Sequence, residues 1–227
     1  MHTISCQAIL FDLDGVLVES RPVVERQWAR WAEEHGLDPG EVIHIAHGKP
    51  TIDTVRTVAP QLDAAAEAHV IEQREIADLE GVQVIAGAAD LLARIPPDRW
   101  AVVTSGTRPL ATTRLRAVGL PLPAALVSAS DIVNGKPHPE PYLKGAAALG
   151  FEAKDCVVIE DSPSGVRAGK TAGMRVIAVP TTYDVSELTE ADVLLKRLSD
   201  LRVVVANTPG RQALHLELLI PQKNAAD

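Results

Sequence analysis

Short apolar runs that alternate with helix-length segments constrain this fold more than any other feature of the sequence. Six runs have the length and composition of buried strands, at residues 7–13, 100–104, 125–128, 156–160, 175–179 and 192–195. Helical patterns lie between them, at residues 88–95, 109–118, 140–149 and 164–172. Because strands and helices alternate with short connections, the sequence predicts an α/β fold, with a doubly wound, Rossmann-like parallel sheet and helices on both faces.

Two segments depart from this alternation. Residues 20–79 contain four helical patterns, at 22–35, 41–47, 53–59 and 63–79, with almost no strand signal. Near the other end, residues 201–206 and 213–220 flank a turn-forming Asn-Thr-Pro-Gly sequence at 207–210, which predicts a C-terminal β-hairpin. We therefore expect a Rossmann-like core, residues 1–17 and 82–227, and an inserted helical domain, residues 18–81.

Composition excludes several classes of protein. The 227 residues carry a formal net charge of −8, which argues against nucleic-acid binding because that function needs a basic face. Neither a signal-peptide pattern nor a run long enough to span a bilayer is present in the sequence. We expect a cytoplasmic protein, monomeric, whose partner is neither nucleic acid nor a membrane.

Asp12 and Asp14 directly follow the first apolar run. Functional groups of parallel strands gather at the carboxyl ends of those strands. Two carboxylates there suit metal-dependent phosphoryl transfer, in which one attacks, the other exchanges a proton, and both approach a cation. The pair alone is a weak indication, since Asp and Gly are also common in turns that follow strands.

Three further polar groups follow later predicted strands. They are Thr104, Ser105 and Gly106; Lys136, held between Gly135 and Pro137; and the acid pair Glu160 and Asp161. Hydroxyl and backbone N–H groups bind phosphate oxygens, a lysine neutralises charge during transfer, and hard carboxylate oxygens select Mg²⁺. Each group alone also fits a helix cap or a solvated charge. Together, in this order and at one sheet edge, they favour a single site.

In these motifs and their order the chain resembles the haloacid dehalogenase superfamily, and within it the phosphatases with a helical cap. The resemblance covers nearly the whole chain and places the helical insertion where the cap is found. Segments 47–51, 104–108, 135–142 and 181–183 are similar to glycerol-phosphate and 2-deoxyglucose-6-phosphate phosphatases. The resemblance implies a Mg²⁺-dependent hydrolase of a small sugar or polyol phosphate.

The resemblance also implies roles for the site residues. Asp12 would attack phosphorus and form an aspartyl phosphate, while Asp14 would protonate the leaving oxygen and then accept a proton from water. Mg²⁺ would be held by Asp12, the Asp14 backbone carbonyl and Asp161, with Glu160 nearby or acting through water. Lys136 would keep Asp12 ionised and offset the charge of the transferring group.

Phosphate and substrate contacts follow in the same way. Thr104 would donate its hydroxyl to the phosphoryl oxygens. The other candidate substrate-binding residues are Ser105, Gly106, Arg108, Glu19, His47, Lys49 and Thr51. Each of the residues in the insertion also fits a helix-capping position, a turn or a solvated helix face.

Four alternatives stay open. A phosphohexose mutase would share the scaffold, but the mutases that it would resemble carry a cap histidine where this chain has Val24. A dehalogenase would not need Asp14, Glu160 and Asp161. A phosphonate hydrolase would need a Schiff-base lysine in the cap and a different first motif. A non-catalytic, metabolite-binding regulator is disfavoured by the presence of both Asp12 and Asp14.

Overall fold

The computed structural model describes residues 2–46, 49–206 and 215–220. Its strands are β1 (His2–Cys6), β2 (Ala8–Phe11), β3 (Val18–Glu19), β4 (Gln83–Val84), β5 (Trp100–Val103), β6 (Ala125–Val127), β7 (Cys156–Glu160), β8 (Arg175–Ala178), β9 (Val193–Leu194), β10 (Arg202–Ala206) and β11 (His215–Ile220). Its α-helices are α1 (Arg21–Glu34), α2 (Pro39–Ala46), α3 (Thr51–Val58), α4 (Ala64–Ala77), α5 (Ala88–Leu92), α6 (Arg108–Ala117), α7 (Glu140–Leu149) and α8 (Pro163–Thr171).

The main sheet confirms the predicted α/β fold. Within the described residues it has six strands in the order β6-β5-β2-β7-β8-β9, and every pairing is parallel. Strand β2 lies inside this sheet with all four of its residues buried, which explains its unbroken apolar run. Several strands end one or two residues earlier than predicted, where the chain turns into the polar loops that follow them.

Both faces of the main sheet are covered by apolar side chains. Ile9 and Phe11 of β2 belong to one apolar cluster, and Ala8 and Leu10 belong to another. Successive residues of a strand point to opposite faces, so β2 anchors both halves of the core. This burial fixes the position of the residue that follows β2, Asp12.

Helices α1 to α4 surround an apolar cluster of their own. Its largest members are Trp28 and Trp31, whose rings meet edge to face with centroids 5.5 Å apart. The segments that enter and leave this group of helices lie side by side, because β3 pairs with β4 in antiparallel fashion. We did not predict these two short strands, since two-residue segments carry no periodic signal.

The C-terminal hairpin is part of a three-stranded sheet. Strands β10 and β11 pair antiparallel as predicted, and β1 pairs with the other edge of β11. Strand β1 is absent from the sequence prediction because its five residues include only two apolar ones, Ile4 and Cys6, which are too few for a clear alternation. Both are buried, whereas Thr3 is exposed. The predicted turn at 207–210 lies outside the described residues. In the part of the chain that the structure describes, helices are too short or too polar to cross a membrane.

Candidate active site

The carboxyl ends of three neighbouring strands bring the sequence motifs together. Asp12 follows β2, Thr104 follows β5, and Glu160 ends β7 directly before Asp161. Lys136 reaches this edge from the loop between β6 and α7. All five residues are buried, which is unusual for four ionisable groups and indicates that they compensate one another.

Lys136 is the cation of this cluster. Its Nζ donates to Oδ1 of Asp12 at 2.5 Å, to Oε1 of Glu160 at 2.7 Å and to the backbone carbonyl of Val103 at 3.1 Å. Burial opposes the charge of Lys136, but the adjacent carboxylates of Asp12 and Glu160 outweigh burial and raise its pKa above the ordinary value. Lys136 therefore stays protonated and has a fixed orientation toward Asp12.

Glu160 is held by protein donors at both carboxylate oxygens. Oε1 accepts from Lys136 and from the Tyr142 hydroxyl at 2.7 Å. Oε2 accepts from the backbone N–H groups of Asp161 and Ser162, at 2.9 and 3.0 Å, and from the Ser162 hydroxyl. Burial acts to raise the pKa of Glu160, but Lys136 and these hydrogen bonds lower it overall. Glu160 is thus an anion that fixes the orientation of its neighbours.

The acidic residues fit a divalent cation. Ligand oxygens of Asp12, Glu160 and Asp161 lie within 4.8 Å of one another. Burial, with repulsion from neighbouring acids, raises the pKa of Asp12 to about 7 and that of Asp161 well above its ordinary value. Three buried carboxylates therefore share a single lysine, and a hard cation bound to their oxygens would offset the remaining repulsion.

Gly15 allows the first loop to approach Asp161. Its φ is +80°, in the left-handed region, and a Cβ added there would lie 1.9 Å from Oδ2 of Asp161. The same Cβ would lie 2.7 Å from Oγ1 of Thr182, whose side chain hydrogen-bonds Asp161. Only glycine meets both requirements. Thr182 was not among the predicted site residues, although it belongs to the 181–183 segment noted in the sequence.

Asp14 has a separate set of partners. Its Oδ1 accepts from the Ser20 hydroxyl at 2.7 Å and from Nη1 of Arg114 at 2.8 Å. Nη2 of Arg114 donates to Oε2 of Glu75 at 2.6 Å. Burial raises the pKa of Glu75 to about 7 despite the opposing effect of Arg114.

Sequence reasoning missed Arg114 and Glu75. A usable signal was present: Arg114 comes four residues after the buried Leu110 in α6, and Glu75 four residues after the buried Ile71 in α4. Residues four apart share a helix face, so each charged side chain is on the apolar side of its helix.

A cavity of about 120 Å³ lies over this edge of the sheet, between the core and helices α1 to α4. The predicted site residues that line it are Asp12, Asp14, Thr104, Lys136, Asp161, Ser105, Gly106, Glu19, Lys49 and Thr51. Trp28 and Val24 also line it. The cavity therefore joins the acidic cluster to residues of the insertion.

Two predicted substrate-binding residues are not placed at the cavity. Nη2 of Arg108 donates to Oδ2 of Asp131 and to the Leu126 carbonyl, both at 2.8 Å, and Arg108 is absent from the described cavity lining. An arginine at the start of α6, close to the turn of Thr104 to Gly106, could point toward the cavity or toward the next loop, and here it pairs with the loop. His47 lies outside the described residues.

Comparison with known proteins gives consistent matches. Residues 6–173 match the haloacid dehalogenase-like hydrolase family. Hexitol phosphatase A of Escherichia coli K12 is 44% identical over 206 residues, covering 87% of this chain and 94% of that protein. Glycerol-1-phosphate phosphohydrolase 1 of Saccharomyces cerevisiae is 36% identical, covering 88% and 86%. Among solved structures, CbbY from Rhodobacter sphaeroides in complex with phosphate has a TM-score of 0.78 at 25% identity, covering 86% and 96%.

Proposed function

The chain belongs to the haloacid dehalogenase-like hydrolase family and is a phosphatase, and we propose that it hydrolyses a small sugar or polyol phosphate with Mg²⁺ and an aspartyl-phosphate intermediate. The observation that carries this proposal is the buried contact of Lys136 with Asp12 beside Asp161, at the floor of the cavity. The substrate class is supported by the names of the two relatives, one acting on hexitol phosphates and the other on glycerol 1-phosphate.

Asp12 acts as the nucleophile. One of its carboxylate oxygens attacks phosphorus in line, the bond from phosphorus to the substrate oxygen breaks, and Asp14 gives that oxygen a proton. Water then attacks the phosphoryl group on Asp12 while Asp14 accepts the proton, which releases phosphate and restores both carboxyl groups. Lys136 favours the ionised nucleophile and offsets charge on the phosphoryl oxygens.

Asp12, Asp161 and the backbone carbonyl of Asp14 would hold Mg²⁺. The bound cation supplies positive charge near the phosphoryl oxygens. Glu160 has both oxygens occupied by protein donors, so we assign it to orienting Lys136 and to contact with the cation through water.

The cavity wall divides into a phosphate side and a leaving-group side. Thr104, Ser105 and Gly106 form a turn after β5, and their hydroxyl and N–H groups would bind phosphoryl oxygens. Glu19, Lys49 and Thr51 line the insertion side, where they would contact substrate hydroxyls. In this proposal residues 18–81 form a cap domain that excludes water from the site.

Hydrolysis is favoured over mutase activity by one position of the cavity wall. Val24 lines the cavity, and its side chain can neither carry a proton nor hydrogen-bond a second sugar. The mutases that the sequence resembles carry a histidine there. Water is therefore the expected acceptor of the phosphoryl group.

The test is phosphate release from a panel of phosphomonoesters, measured with Mg²⁺ and again with EDTA. The panel contains glycerol 1- and 3-phosphate, sorbitol 6-phosphate, 2-deoxyglucose 6-phosphate, phosphoglycolate and β-glucose 1-phosphate. We expect Mg²⁺-dependent release, with the polyol and sugar phosphates hydrolysed fastest. Conversion of β-glucose 1-phosphate to the 6-phosphate without phosphate release, or no release from any compound, would overturn the proposal.

A further inference from the structure

One buried arginine links Asp14 to the inserted helices. Arg114 projects from α6 of the core and is 3% exposed. Its two terminal nitrogens bind Oδ1 of Asp14 and Oε2 of Glu75, at 2.8 and 2.6 Å. Glu75 lies on α4 of the insertion and is 4% exposed. A single guanidinium therefore bridges a carboxylate of the site and a carboxylate of the cap.

The contacts of Asp14 are asymmetric. Arg114 and Ser20 both donate to Oδ1, and Ser20, directly before α1, is itself buried. Among the described contacts, Oδ2 is therefore the oxygen without a protein donor. A carboxyl group that must give and accept a proton needs one oxygen fixed and the other open to the substrate, and Asp14 has this arrangement.

The bridge depends on the position of the cap. Glu75 meets Arg114 only because α4 lies against α6. The core and the inserted helices also approach each other at Gly135, where an added Cβ would lie 3.3 Å from Cγ of Pro50. Buried charges are stable only when they are paired. If α4 moved away, Arg114 would lose one of its two anionic partners, and its guanidinium would become free to turn away from Asp14.

We propose that Arg114 is a positioning residue for Asp14, and that Glu75 makes this positioning depend on the cap lying against the core. This inference rests on the proposed phosphatase reaction. Arg114 orients Asp14 so that Oδ2 delivers a proton to the leaving oxygen. Glu75 holds the guanidinium of Arg114 in that orientation while the cavity is closed, so that proton delivery and the exclusion of water occur together.

A leaving-group series separates this role from a structural one. The probes are phenyl phosphate and p-nitrophenyl phosphate, which have similar shapes, because phenolate is the stronger base and its departure depends more on a donated proton than that of nitrophenolate. The measured quantity is kcat/KM, which covers only the steps through departure of the leaving group. For Arg114→Gln we expect a loss of ~10²-fold on phenyl phosphate and less than ~5-fold on p-nitrophenyl phosphate.

Three further variants complete the test. Glu75→Gln keeps the size of the side chain and should show the same selective loss, smaller in extent, even if Arg114→Gln folds poorly. The double variant should be no worse than Arg114→Gln alone, since both substitutions remove one bridge. Arg116→Gln, an exposed arginine two residues along α6, should behave like the unaltered protein.

Hydrogen exchange provides a readout that does not depend on activity. Amide exchange in α4 should rise in Arg114→Gln and in Glu75→Gln but not in Arg116→Gln, because the bridge holds α4 against α6. Unchanged exchange in both bridge variants would overturn the link between cap and core.

The kinetic outcomes are distinguishable. An equal loss on both aryl phosphates would indicate a structural role for Arg114 and would overturn the inference. If the unaltered protein hydrolyses no phosphomonoester with Mg²⁺, the proposed function fails, and the inference fails with it. Activity of the unaltered protein with no selective loss in the variants overturns the inference alone.

Discussion

Lys136 is the residue on which the charge balance of the site depends. Its ammonium group contacts two buried carboxylates, Asp12 and Glu160, at 2.5 and 2.7 Å. Removing one partner from such a cluster leaves uncompensated buried charge, which costs more than the contact itself is worth. We therefore expect function and stability to depend on the same side chain.

Lys136→Met should reduce both properties. We expect phosphatase kcat to fall by ~10²–10³-fold, because a preorganised charge near the phosphoryl oxygens is lost. The free energy of unfolding should fall by about 3–5 kcal/mol at pH 7. Steady-state kinetics and denaturant unfolding measure the two effects. Lys154→Met, on the exposed surface, is the control and should change neither; an active Lys136→Met protein would contradict the assignment.

Gly15→Ala tests the close approach of the first loop to Asp161. The left-handed φ alone should cost about 1–2 kcal/mol of unfolding free energy. Activity should also fall by at least ~10²-fold, because the new methyl group would displace the Asp161 carboxylate.

Gly36→Ala is a matched control for this substitution. Gly36 also has a positive φ, of +67°, but a Cβ there would meet nothing within 4 Å. It should show the conformational cost with full activity. Equal activities of the two alanine variants would show that Gly15 matters only for its backbone conformation.

The loop between β6 and α7 positions Lys136. Glu140, the first residue of α7, accepts from the backbone N–H groups of Val133 and Asn134 at 3.0 and 2.9 Å. Oε1 of Glu140 also pairs with Lys144 at 2.9 Å. These contacts connect the start of the loop to the helix that follows it. Glu140 therefore restrains the loop segment that contains Lys136.

The pKa of Glu140 makes the stabilising effect of these contacts depend on pH. Hydrogen bonds from the Val133 N–H, from Lys144 and from Asn134 lower that pKa from 4.5 to about 2. The folded state thus favours the ionised form. The stabilising contribution of the ionised Glu140 carboxylate is fully present above pH 4.5 and is lost as the pH falls from there toward 2.

Glu140→Gln should therefore be less stable than the unaltered protein at pH 7, and the difference should shrink between pH 4.5 and pH 2. Denaturant unfolding at pH 7, 4 and 3 measures this. Lys144→Gln removes the ion pair but leaves the backbone hydrogen bonds, so its effect should be smaller. A stability difference that is independent of pH would show that the charge of Glu140 does not contribute.

The chain as a whole is acidic, yet a phosphatase must bind an anionic substrate. The net charge is −8, but Lys136, Lys49 and Arg114 all line the cavity, near a carboxylate cluster that fits a divalent cation. Local charge, and not the total, decides what binds. The carboxylates repel one another without a cation, so metal binding should stabilise the whole fold.

Mg²⁺ should raise the melting temperature relative to EDTA. At a concentration 100 times its dissociation constant it would add about 2.7 kcal/mol of stability. Asp161→Asn should lose this Mg²⁺-dependent increase, whereas Asp53→Asn, at an exposed position, should keep it. Differential scanning fluorimetry with and without Mg²⁺ measures both. An increase of the same size in Asp161→Asn would remove Asp161 from the cation site.

The parts of this molecule that could be predicted are those whose signal is local in the sequence. The main sheet and the polar groups at its carboxyl edge follow from apolar runs that end in Asp12, Thr104 and Glu160. The bridge from Asp14 through Arg114 to Glu75 joins residues 100 and 39 positions apart. No local pattern reports such a contact, because it arises only when α4 packs against α6.

The partner of Arg108 could not be predicted from the sequence for the same reason. Its partner Asp131 is 23 residues away, in the turn after β6. Nothing in the local sequence distinguishes an arginine that binds the substrate from one that pairs with a neighbouring loop. Tertiary placement decided between the two.

If Asp12 is the nucleophile of this phosphatase, turnover must depend on its carboxylate, and the turnover of Asp12→Asn is the decisive measurement. The measurement is phosphate release by the variant and the unaltered protein on the best substrate of the panel, with Mg²⁺, alongside thermal unfolding of both. We predict a loss of at least ~10³-fold with cooperative unfolding retained, because an amide cannot attack phosphorus. A folded Asp12→Asn protein that keeps a tenth or more of the activity would show that Asp12 is not the nucleophile.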